Sequence, residues 1–298
     1  MSKNIRIIPR LDIKGPNLVK GINLEGLRVL GKPEQFARYY YESGADELIY
    51  IDVVASLYNR NSLHDIIIRT AKEIFISLTV GGGLRTVEDI RQVLRVGADK
   101  VSLNTAAVKN PQIIKEASIK FGSSTIVISI EAIKHPDGRY FVYTNNGREY
   151  TGKEVLEWAK QVEEIGAGEI LLTSVDREGT GLGYDIELTK MVASAVSIPV
   201  IACGGAGKME DVKEVITIGE ADAVSMASIL HYDFVKKFDV SKLNPEHFKE
   251  EGNIEYLQSG RSFSMIKTAD IPSIKDYLFK NNISCRYSID KYGEVVNV

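Results

Sequence analysis

Eight short apolar runs recur along the chain, and none of them alternates cleanly between apolar and polar residues. Runs of this length and composition are typical of parallel strands that are buried on both faces of a sheet. We therefore predict eight parallel strands, at residues 5–12, 47–53, 76–80, 100–104, 125–131, 169–174, 199–203 and 222–226.

Stretches with helical periodicity separate the apolar runs, among them 32–44, 86–97 and 151–165. Thr86 followed by Asp89 is the pairing expected at a helix N-terminus. Strands that alternate with helices in this way indicate an α/β fold with a parallel sheet.

Two segments interrupt this alternation. Residues 134–150 contain a proline, two glycines and paired asparagines, which predicts a hairpin or a long loop after the fifth strand. A polar, lysine-rich insertion at 233–270 follows the eighth strand, and 271–282 is the helix expected to close the fold. Because the insertion begins on the face where barrel active sites are built, we expect either a lid or partner contact, or a surface elaboration without contacts.

The pattern of strands and helices occurs twice. Residues 79–103 and 201–226 each contain an apolar run, a glycine cluster, a helical stretch and a second apolar run. The offset between the copies is 122 residues, as between Gly82 and Gly204. Weaker sequence similarity links residues 44–56 with 166–180, and residues 5–13 with 124–132.

A repeat of about half the chain, itself made of strand–helix units, is the pattern of two half-barrels that close into one. We predict an α/β fold: a (βα)8 TIM barrel built from two half-barrel repeats, with an insertion between strand eight and the last helix. Since α/β barrels often reach this length as one domain, residues 1–298 are predicted to form a single barrel, with 233–270 in its eighth βα loop.

Composition narrows the class of partner. The net charge of −3 and the pI near 5.9 argue against a nucleic acid held through its phosphates. Neither a signal-peptide layout nor a continuous apolar run of about 18 residues is present, so no membrane association is predicted. Cys203 and Cys285 lack metal-ligand spacing, which favours a reduced, cytoplasmic location and predicts neither a metal ion nor a cofactor.

Two acidic residues occupy equivalent positions in the two halves. Asp12 ends the first strand and Glu131 ends the fifth, so both should lie on the catalytic rim of a barrel. Arg6, Ile8 and Arg10 share the parity of Asp12 and should also point inward. Two carboxylates opposed across a pocket form a candidate general acid–base pair, and solvated rim charges are the alternative.

Each half also carries a glycine cluster between a strand and a helix, at 81–83 and at 204–205. Glycine lets the backbone approach an anion closely, and helix N-termini offer free N–H groups. The strand that follows each cluster ends in residues that complete a cradle: Asn104 with Thr105, and Ala227 with Ser228. Two cradles across one barrel mouth predict a ligand with a phosphate at each end, whereas tight turns without a ligand are the alternative.

Four segments carry specific family motifs: TVGGGLR (79–85), GADKVSLNTAAV (97–108), GAGEILLTSVDREGT (166–180) and IACGGAGK (201–208). With these motifs the chain resembles the cyclase subunit of imidazole glycerol phosphate synthase, from histidine biosynthesis. The resemblance runs from about residue 4 to 232 and resumes weakly at the last helix.

The resemblance implies an ammonia-dependent lyase. Its bisphosphorylated substrate would be a phosphoribulosyl-formimino aminoimidazole carboxamide nucleotide, and its products imidazole glycerol phosphate and aminoimidazole carboxamide ribotide. It also implies a glutaminase subunit that docks beneath the barrel as a heterodimer partner and supplies the ammonia.

The resemblance further assigns roles to matching positions. Asp12 matches the catalytic base, Glu131 stands where the family has its catalytic acid, and Lys20 matches a residue of the mobile first loop that closes over substrate. One phosphate site is matched by Gly83, Asn104 and Thr105, and the other by Gly179, Gly205, Ala227 and Ser228. Substrate-pocket positions are matched by Asn146, Thr173, Glu178 and Thr180.

A set of charges at strand starts matches the family's ring at the bottom of the barrel, which gates ammonia: Arg6, Glu47, Lys100 and Glu169. Ordinary surface ion pairs are the alternative reading of these four residues. Asp99, beside the ring, matches a docking contact for the glutaminase.

The chain departs from the family pattern at several of these positions. Glu131 and Glu178 replace the usual aspartates, and Asn146 replaces a common serine. Arg10 replaces a small residue, often cysteine; a buried guanidinium there needs Asp12 or Glu131 as its partner. Such pairing would hold the carboxylate ionised and make it a poorer acid, and the side chain would add bulk to the ammonia path.

Two functions from different classes remain open. The first is the cyclase itself, which Asp12, Lys20 and both phosphate cradles favour. The alternative is a non-cyclising partner that passes ammonia from a glutaminase to an amidotransferase in surface-sugar amidination, as in specialised paralogues. Glu131, Arg10 and the insertion favour the alternative.

Overall fold

Eight parallel strands close into a barrel. The computed structural model describes residues 4–55, 63–237 and 265–286, with the backbone of two short strands beyond them. The strands are β1 (Arg6–Lys14), β2 (Asn17–Ile22), β3 (Glu25–Gly31), β4 (Glu47–Asp52), β5 (Ser77–Gly81), β6 (Lys100–Leu103), β7 (Ile126–Lys134), β8 (Tyr140–Thr144), β9 (Glu149–Glu154), β10 (Glu169–Ser174), β11 (Val200–Cys203), β12 (Ala223–Met226), β13 (Ser288–Ile289) and β14 (Val295–Val296). Strands β1, β4, β5, β6, β7, β10, β11 and β12 pair in that order and β12 returns to β1, which confirms the predicted (βα)8 barrel.

Helices alternate with these strands. They are α1 (Pro33–Glu42), α2 (His64–Ala71), α3 (Val87–Arg95), α4 (Thr105–Lys109), α5 (Gln112–Phe121), α6 (Val155–Ile165), α7 (Ile186–Ala193), α8 (Met209–Thr217), α9 (Ser228–Lys237) and α10 (Ile271–Lys280). The predicted start of α3 is confirmed: Asp89 N donates to Thr86 Oγ1 at 3.1 Å, and Thr86 N donates back to Asp89 Oδ2 at 2.9 Å. Among the described helices, none combines the length and apolar character needed to span a bilayer.

Two antiparallel hairpins extend from the top of the barrel. β1 continues into β2 and β3, and β7 continues into β8 and β9. The helix predicted at 151–165 is therefore wrong at its start, because β9 takes residues up to Glu154 and the helix begins at Val155. At residues 151–154, pairing of β9 with β8 outweighs helical propensity. Thr151 Oγ1 adds a contact to β8, because it donates to the Val142 carbonyl at 2.7 Å.

Alternation along the strands separates two apolar layers. The barrel interior is filled by a small cluster: Ile8, Ile49, Val127, Leu171, Ile201, Cys203 and Ala223. The opposite faces of the strands pack against the helices in a much larger cluster, which includes Ile7, Leu11 and Trp158. Ile8 inside and Ile7 outside confirm the parity predicted for β1, and this parity decides which polar side chains enter the barrel.

The region after β12 begins differently from the prediction. Residues 233–237 belong to α9, which starts two residues after β12, and residues 238–264 lie outside the described part of the chain. The extent of the predicted insertion at 233–270 and the single domain over 1–298 stay predictions. The predicted last helix is confirmed as α10, and the chain then adds one parallel bridge to the barrel, between Ile5 and Cys285.

Candidate active site

Arg10 and Asp12 form a buried ion pair near the C-terminal end of β1. Arg10 Nε donates to Asp12 Oδ1 at 2.8 Å, and the two residues are 3% and 2% exposed. The guanidinium also reaches across the barrel, where Nη1 donates to Thr173 Oγ1 at 3.2 Å and lies 3.6 Å from Cys203 Sγ. The predicted inward direction of Arg10 and its carboxylate partner are confirmed.

Lys20 and Glu178 extend this pair into a cluster of four buried charges. Lys20 Nζ pairs with Glu178 Oε1 and lies 4.0 Å from Asp12 Oδ2. Burial disfavours the ionised form of Glu178, but the charges of Lys20 and Arg10 outweigh it and lower the pKa of that carboxyl. Two cations and two carboxylates thus balance in the barrel mouth, as charges removed from water require.

Lys20 comes from a hairpin, whereas the resemblance implied a mobile loop. The hairpin of β2 and β3 rests on the loop after β10: Asn23 N donates to the Glu178 carbonyl at 2.7 Å. A Cβ atom on Gly179 would lie 2.5 Å from the Gly21 carbonyl oxygen, so only glycine allows this approach. The hairpin therefore covers Asp12 and places Lys20 beside it.

Glu131 lies across the mouth, on β7. It is 9% exposed, and its Oε2 accepts the Gly147 N–H at 2.7 Å. Burial raises the pKa of the Glu131 carboxyl, although the Gly147 N–H and the Arg10 cation oppose the shift, and the Asp12 carboxylate adds to it. Glu131 is thus suited to carry a proton, whereas Asp12 is paired with a cation.

A cavity of about 390 Å³ adjoins Glu131 and the first glycine cluster. Its lining includes several predicted site residues: Gly83, Asn104, Thr105, Glu131 and Asn146. Asp12, Lys20, Thr173 and Gly205 are not among the lining residues.

The first predicted phosphate site faces this cavity. Thr105 Oγ1 accepts the Asn145 N–H at 3.2 Å, and Asn146 Nδ2 donates to the Leu24 carbonyl at 3.1 Å. Asn104 Nδ2 lies 3.4 Å from the Tyr143 carbonyl, while its Oδ1 is buried without a hydrogen-bond partner among the described residues. These contacts join the residues after β6 to the β8–β9 hairpin, and that hairpin to the turn between β2 and β3.

The second predicted phosphate site is more enclosed. Gly205 follows β11, Ala227 follows β12, and Ser228 begins α9. Ala227 and Ser228 are 8% and 6% exposed. The loop after β10 packs on it, since Gly183 N donates to the Gly205 carbonyl at 2.8 Å. Within that loop, Thr180 Oγ1 donates to the Arg177 carbonyl at 2.7 Å.

The four charges predicted at the bottom of the barrel form a closed ring of ion pairs. Arg6 pairs with Glu169 and, at 2.7 Å, with Glu47. Lys100 lies 3.0 Å from Glu47 and 3.3 Å from Glu169. Each carboxylate bridges both cations. The ring therefore spans the end of the barrel where the strands begin, below the apolar interior cluster.

Asp99 has a structural contact that the sequence did not reveal. Its Oδ2 accepts the Leu78 N–H at 2.9 Å. The same contact recurs at two other strand starts, where Asp46 accepts from Ile7 at 2.7 Å and Asp222 accepts from Val200 at 2.9 Å. Asp99 therefore caps a neighbouring strand whether or not it also contacts a partner.

Several residues at the cavity were missed by the sequence reasoning: Asp52, Arg85, Ser102 and Lys109. Asp52 ends β4 as Asp12 nearly ends β1, so the rule of strand-end carboxylates could have found it. Ser102 Oγ is buried in the lining without a hydrogen-bond partner among the described residues. Arg85 and Lys109 supply positive charge beside the first phosphate site, and nothing in their spacing singled them out.

Related proteins support one family. The family described as "Histidine biosynthesis protein" matches residues 6–236. The imidazole glycerol phosphate synthase subunit HisF of Legionella pneumophila is 60% identical over 208 residues, which is 70% of this chain and 98% of that protein. The protein of the same name from Alkaliphilus metalliredigens (strain QYMF) is 50% identical over 230 residues, 77% of this chain and 91% of that protein. On this similarity and its barrel fold, the chain belongs to the histidine biosynthesis protein family.

Proposed function

We propose that this chain is the cyclase subunit of imidazole glycerol phosphate synthase. It is a lyase that uses ammonia to convert the phosphoribulosyl-formimino aminoimidazole carboxamide nucleotide to imidazole glycerol phosphate and aminoimidazole carboxamide ribotide. The observation that carries this function in the site is the pair of buried carboxylates, Asp12 and Glu131, on β1 and β7 of one barrel mouth.

The two carboxylates have different environments, and this difference suggests their roles. Asp12 is paired with Arg10 and lies near Lys20, so we assign it the base that takes a proton from the reacting ligand. Glu131 is buried with a raised pKa, so we assign it the acid that returns a proton to the departing nitrogen. One carboxylate that accepts and one that donates would serve ring closure and C–N cleavage in turn.

The substrate would lie between the two phosphate sites. Gly83, Asn104 and Thr105 would hold one phosphate beside the cations of Arg85 and Lys109. The residues proposed for the other phosphate are Gly179, Gly205, Ala227 and Ser228. Asn146, Thr173, Glu178 and Thr180 would line the pocket between them, and Lys20 would leave Glu178 to reach the bound ligand.

The proposed partner is a glutaminase subunit at the bottom of the barrel, in a heterodimer. The ring of Arg6, Glu47, Lys100 and Glu169 stands at that end and would act as the gate for ammonia. Asp99 is exposed beside the ring, with one carboxylate oxygen free of the Leu78 contact for a partner. We retain a cytoplasmic location as part of this proposal.

One observation favours the second function, ammonia transfer to an amidotransferase. Arg10 crosses the barrel interior from Asp12 to Thr173, above the apolar cluster through which ammonia would pass. The Arg10 guanidinium thereby occupies the carboxylate that a cyclase needs as its base. An ammonia-relay subunit tolerates the loss of the base, whereas a cyclase does not.

Steady-state assays on the purified pair separate the two functions. A cyclase turns over the nucleotide with added ammonia and with glutamine, and Asp12→Asn abolishes both activities. Robust turnover by the wild type on ammonia excludes the relay. No turnover of the nucleotide, together with stimulation of the glutaminase, contradicts the cyclase. Complementation of a histidine auxotroph checks the same distinction in cells.

A further inference from the structure

A short segment beyond the family match contacts the second phosphate site. Residues 265–267 are the first described residues after 238–264, and they lie outside the matched range 6–236. Lys267 N donates to the Gly207 carbonyl at 2.7 Å. Ile266 is 6% exposed, and a Cβ atom on Gly181 would lie 2.7 Å from its Cγ1 atom. The segment thus packs on both loops that shape the site.

Those two loops are themselves stacked backbone on backbone. Gly183 N donates to the Gly205 carbonyl at 2.8 Å, and a Cβ atom on Gly207 would lie 2.1 Å from the Gly181 carbonyl oxygen. The loop at 179–183, the loop at 204–207 and the segment at 265–267 therefore form three layers in direct contact. Since no side chains separate the first two layers, a shift of one layer moves the next.

The first phosphate site has a different construction. Its glycines, Gly82 and Gly83, line the 390 Å³ cavity, whose lining residues all fall between Ile51 and Asn146. The segment at 265–267 is absent from that lining. Among the described residues, the segment at 265–267 therefore contacts the second predicted phosphate site and does not line the cavity at the first.

Glycine-rich loops bind anions well only when something holds them. Glycine has the largest conformational freedom of any residue, so an unsupported glycine loop loses entropy when it aligns its N–H groups on a phosphate. Support from neighbouring backbone removes part of that cost before the ligand arrives. Gly181 lies two residues before Gly183, and Gly207 lies two residues after Gly205. Contacts at Gly181 and Gly207 can therefore support both loops that the Gly183–Gly205 hydrogen bond joins.

We propose that Ile266 and the backbone N–H of Lys267 are positioning residues for the second anion site, which takes a phosphate group at one end of the bisphosphorylated substrate. Neither residue touches the phosphate: Ile266 acts through Gly181, and Lys267 acts through Gly207. This inference rests on the proposed function, since that function places a phosphate at Gly205.

The variants separate the two contacts from general packing. Ile266→Ala removes most of the side chain that covers Gly181. Ile266→Val only shortens this side chain, so the variant is expected to keep the fold. Lys267→Pro removes the N–H that Gly207 accepts, whereas Lys267→Ala keeps this N–H and removes only the side chain. Ile283→Ala is the matched control, because Ile283 is similarly buried, at 9% exposure, but lies two residues from Cys285, which bridges to Ile5 just before β1.

The measurement is a titration of the full-length 15N-labelled protein with inorganic phosphate, in which the amide signals of Gly83 and Gly205 are followed separately. We expect Ile266→Ala and Lys267→Pro to raise the apparent Kd at Gly205 about tenfold and to leave Gly83 unchanged. Ile266→Val shifts Gly205 in the same direction by less, and Lys267→Ala and Ile283→Ala behave as the wild type. With the nucleotide substrate, KM rises while kcat stays within about twofold.

Three outcomes would overturn the inference. Unchanged affinity at Gly205 in Ile266→Ala, Ile266→Val and Lys267→Pro means that the segment does not position the loop. Equal weakening at Gly83 and Gly205 means that the substitutions act through general stability. No response at Gly205 in the wild type refutes the second phosphate site itself, and so identifies the proposed function as the part that failed.

Discussion

Arg10 and Asp12 are two residues apart on β1, and the Nε of one donates to the Oδ1 of the other at 2.8 Å. Residues two apart on a strand share a face, so both side chains enter the barrel mouth. Burial disfavours the guanidinium cation, but the groups around it, led by the Asp12 carboxylate and including Glu178, outweigh burial and raise the pKa of Arg10. The proposed catalytic base is thus paired with a cation from its own strand.

Restoring the family residues at two positions tests the importance of this pair. Arg10→Cys together with Glu131→Asp frees Asp12 and moves the acid back by about a bond length, a scale on which misplacement costs roughly 100-fold. We expect ammonia-dependent kcat to be preserved or to rise. The single Arg10→Cys variant is the control for the base alone. A fall in turnover in the single Arg10→Cys variant, with an unchanged Tm, would show that Arg10 is required for catalysis here.

Two anions should bind to crystals soaked in phosphate or sulfate. One should contact Gly83, Asn104 and Thr105, and the other Gly205 and Ser228, because both places offer backbone N–H groups beside a helix start. Crystallographic density at both places is the expected result. Density elsewhere, with neither place occupied, would argue against a bisphosphate ligand.

Removing the charge of Asp99 should weaken the complex with the glutaminase. Asp99→Asn keeps an oxygen for the Leu78 N–H, so it leaves the strand contact intact and isolates the docking role. We expect Kd to rise about tenfold for a rim charge that meets a complementary partner. Asp222→Asn is the control, since Asp222 makes the same contact at another strand start. Equal binding by both variants and the wild type would place the docking surface elsewhere.

The raised pKa of Glu131 gives stability a pH dependence. A carboxyl whose folded pKa exceeds its unfolded value stabilises the protein below the unfolded value of about 4.5, and this contribution is lost as pH rises through the folded pKa. Glu131→Gln keeps an acceptor for Gly147 but cannot ionise. We therefore expect Tm of the variant, relative to wild type, to increase as pH rises above 4.5, while its turnover falls. A Tm difference that is independent of pH would contradict the shift.

His231 should make the protein sensitive to acid. Its Nδ1 is 2.6 Å from the Tyr40 hydroxyl, and burial followed by repulsion from Lys20 lowers the pKa of His231 to about 3. The unfolded chain binds the proton near pH 6.5, so stability is complete above that pH and declines as pH falls toward 3. His231→Gln should lessen this decline in urea titrations between pH 7 and about 4.5. An identical decline in the variant would assign it to the carboxylates.

The sequence alone determined the architecture and much of the site's layout. The repeat fixed the order of strands, because each half supplies the same strand–helix units and a parallel barrel is the way such units bury both faces of their strands. Parity on β1 was sufficient to place Arg6, Ile8, Arg10 and Asp12 inside the barrel, since side-chain direction in a strand is a local property.

Tertiary structure decided which of these residues meet. Arg10 takes Asp12 as its partner and reaches Thr173 and Cys203, contacts that join residues 163 and 193 positions apart. Lys20 is buried against Glu178, and β9 displaces the start of α6, because cross-strand pairing overrides local helical preference. The contact of Lys267 with Gly207 likewise follows only from packing. Local patterns specify which way a side chain points, but a partner distant in sequence is chosen by how the closed barrel brings its loops together.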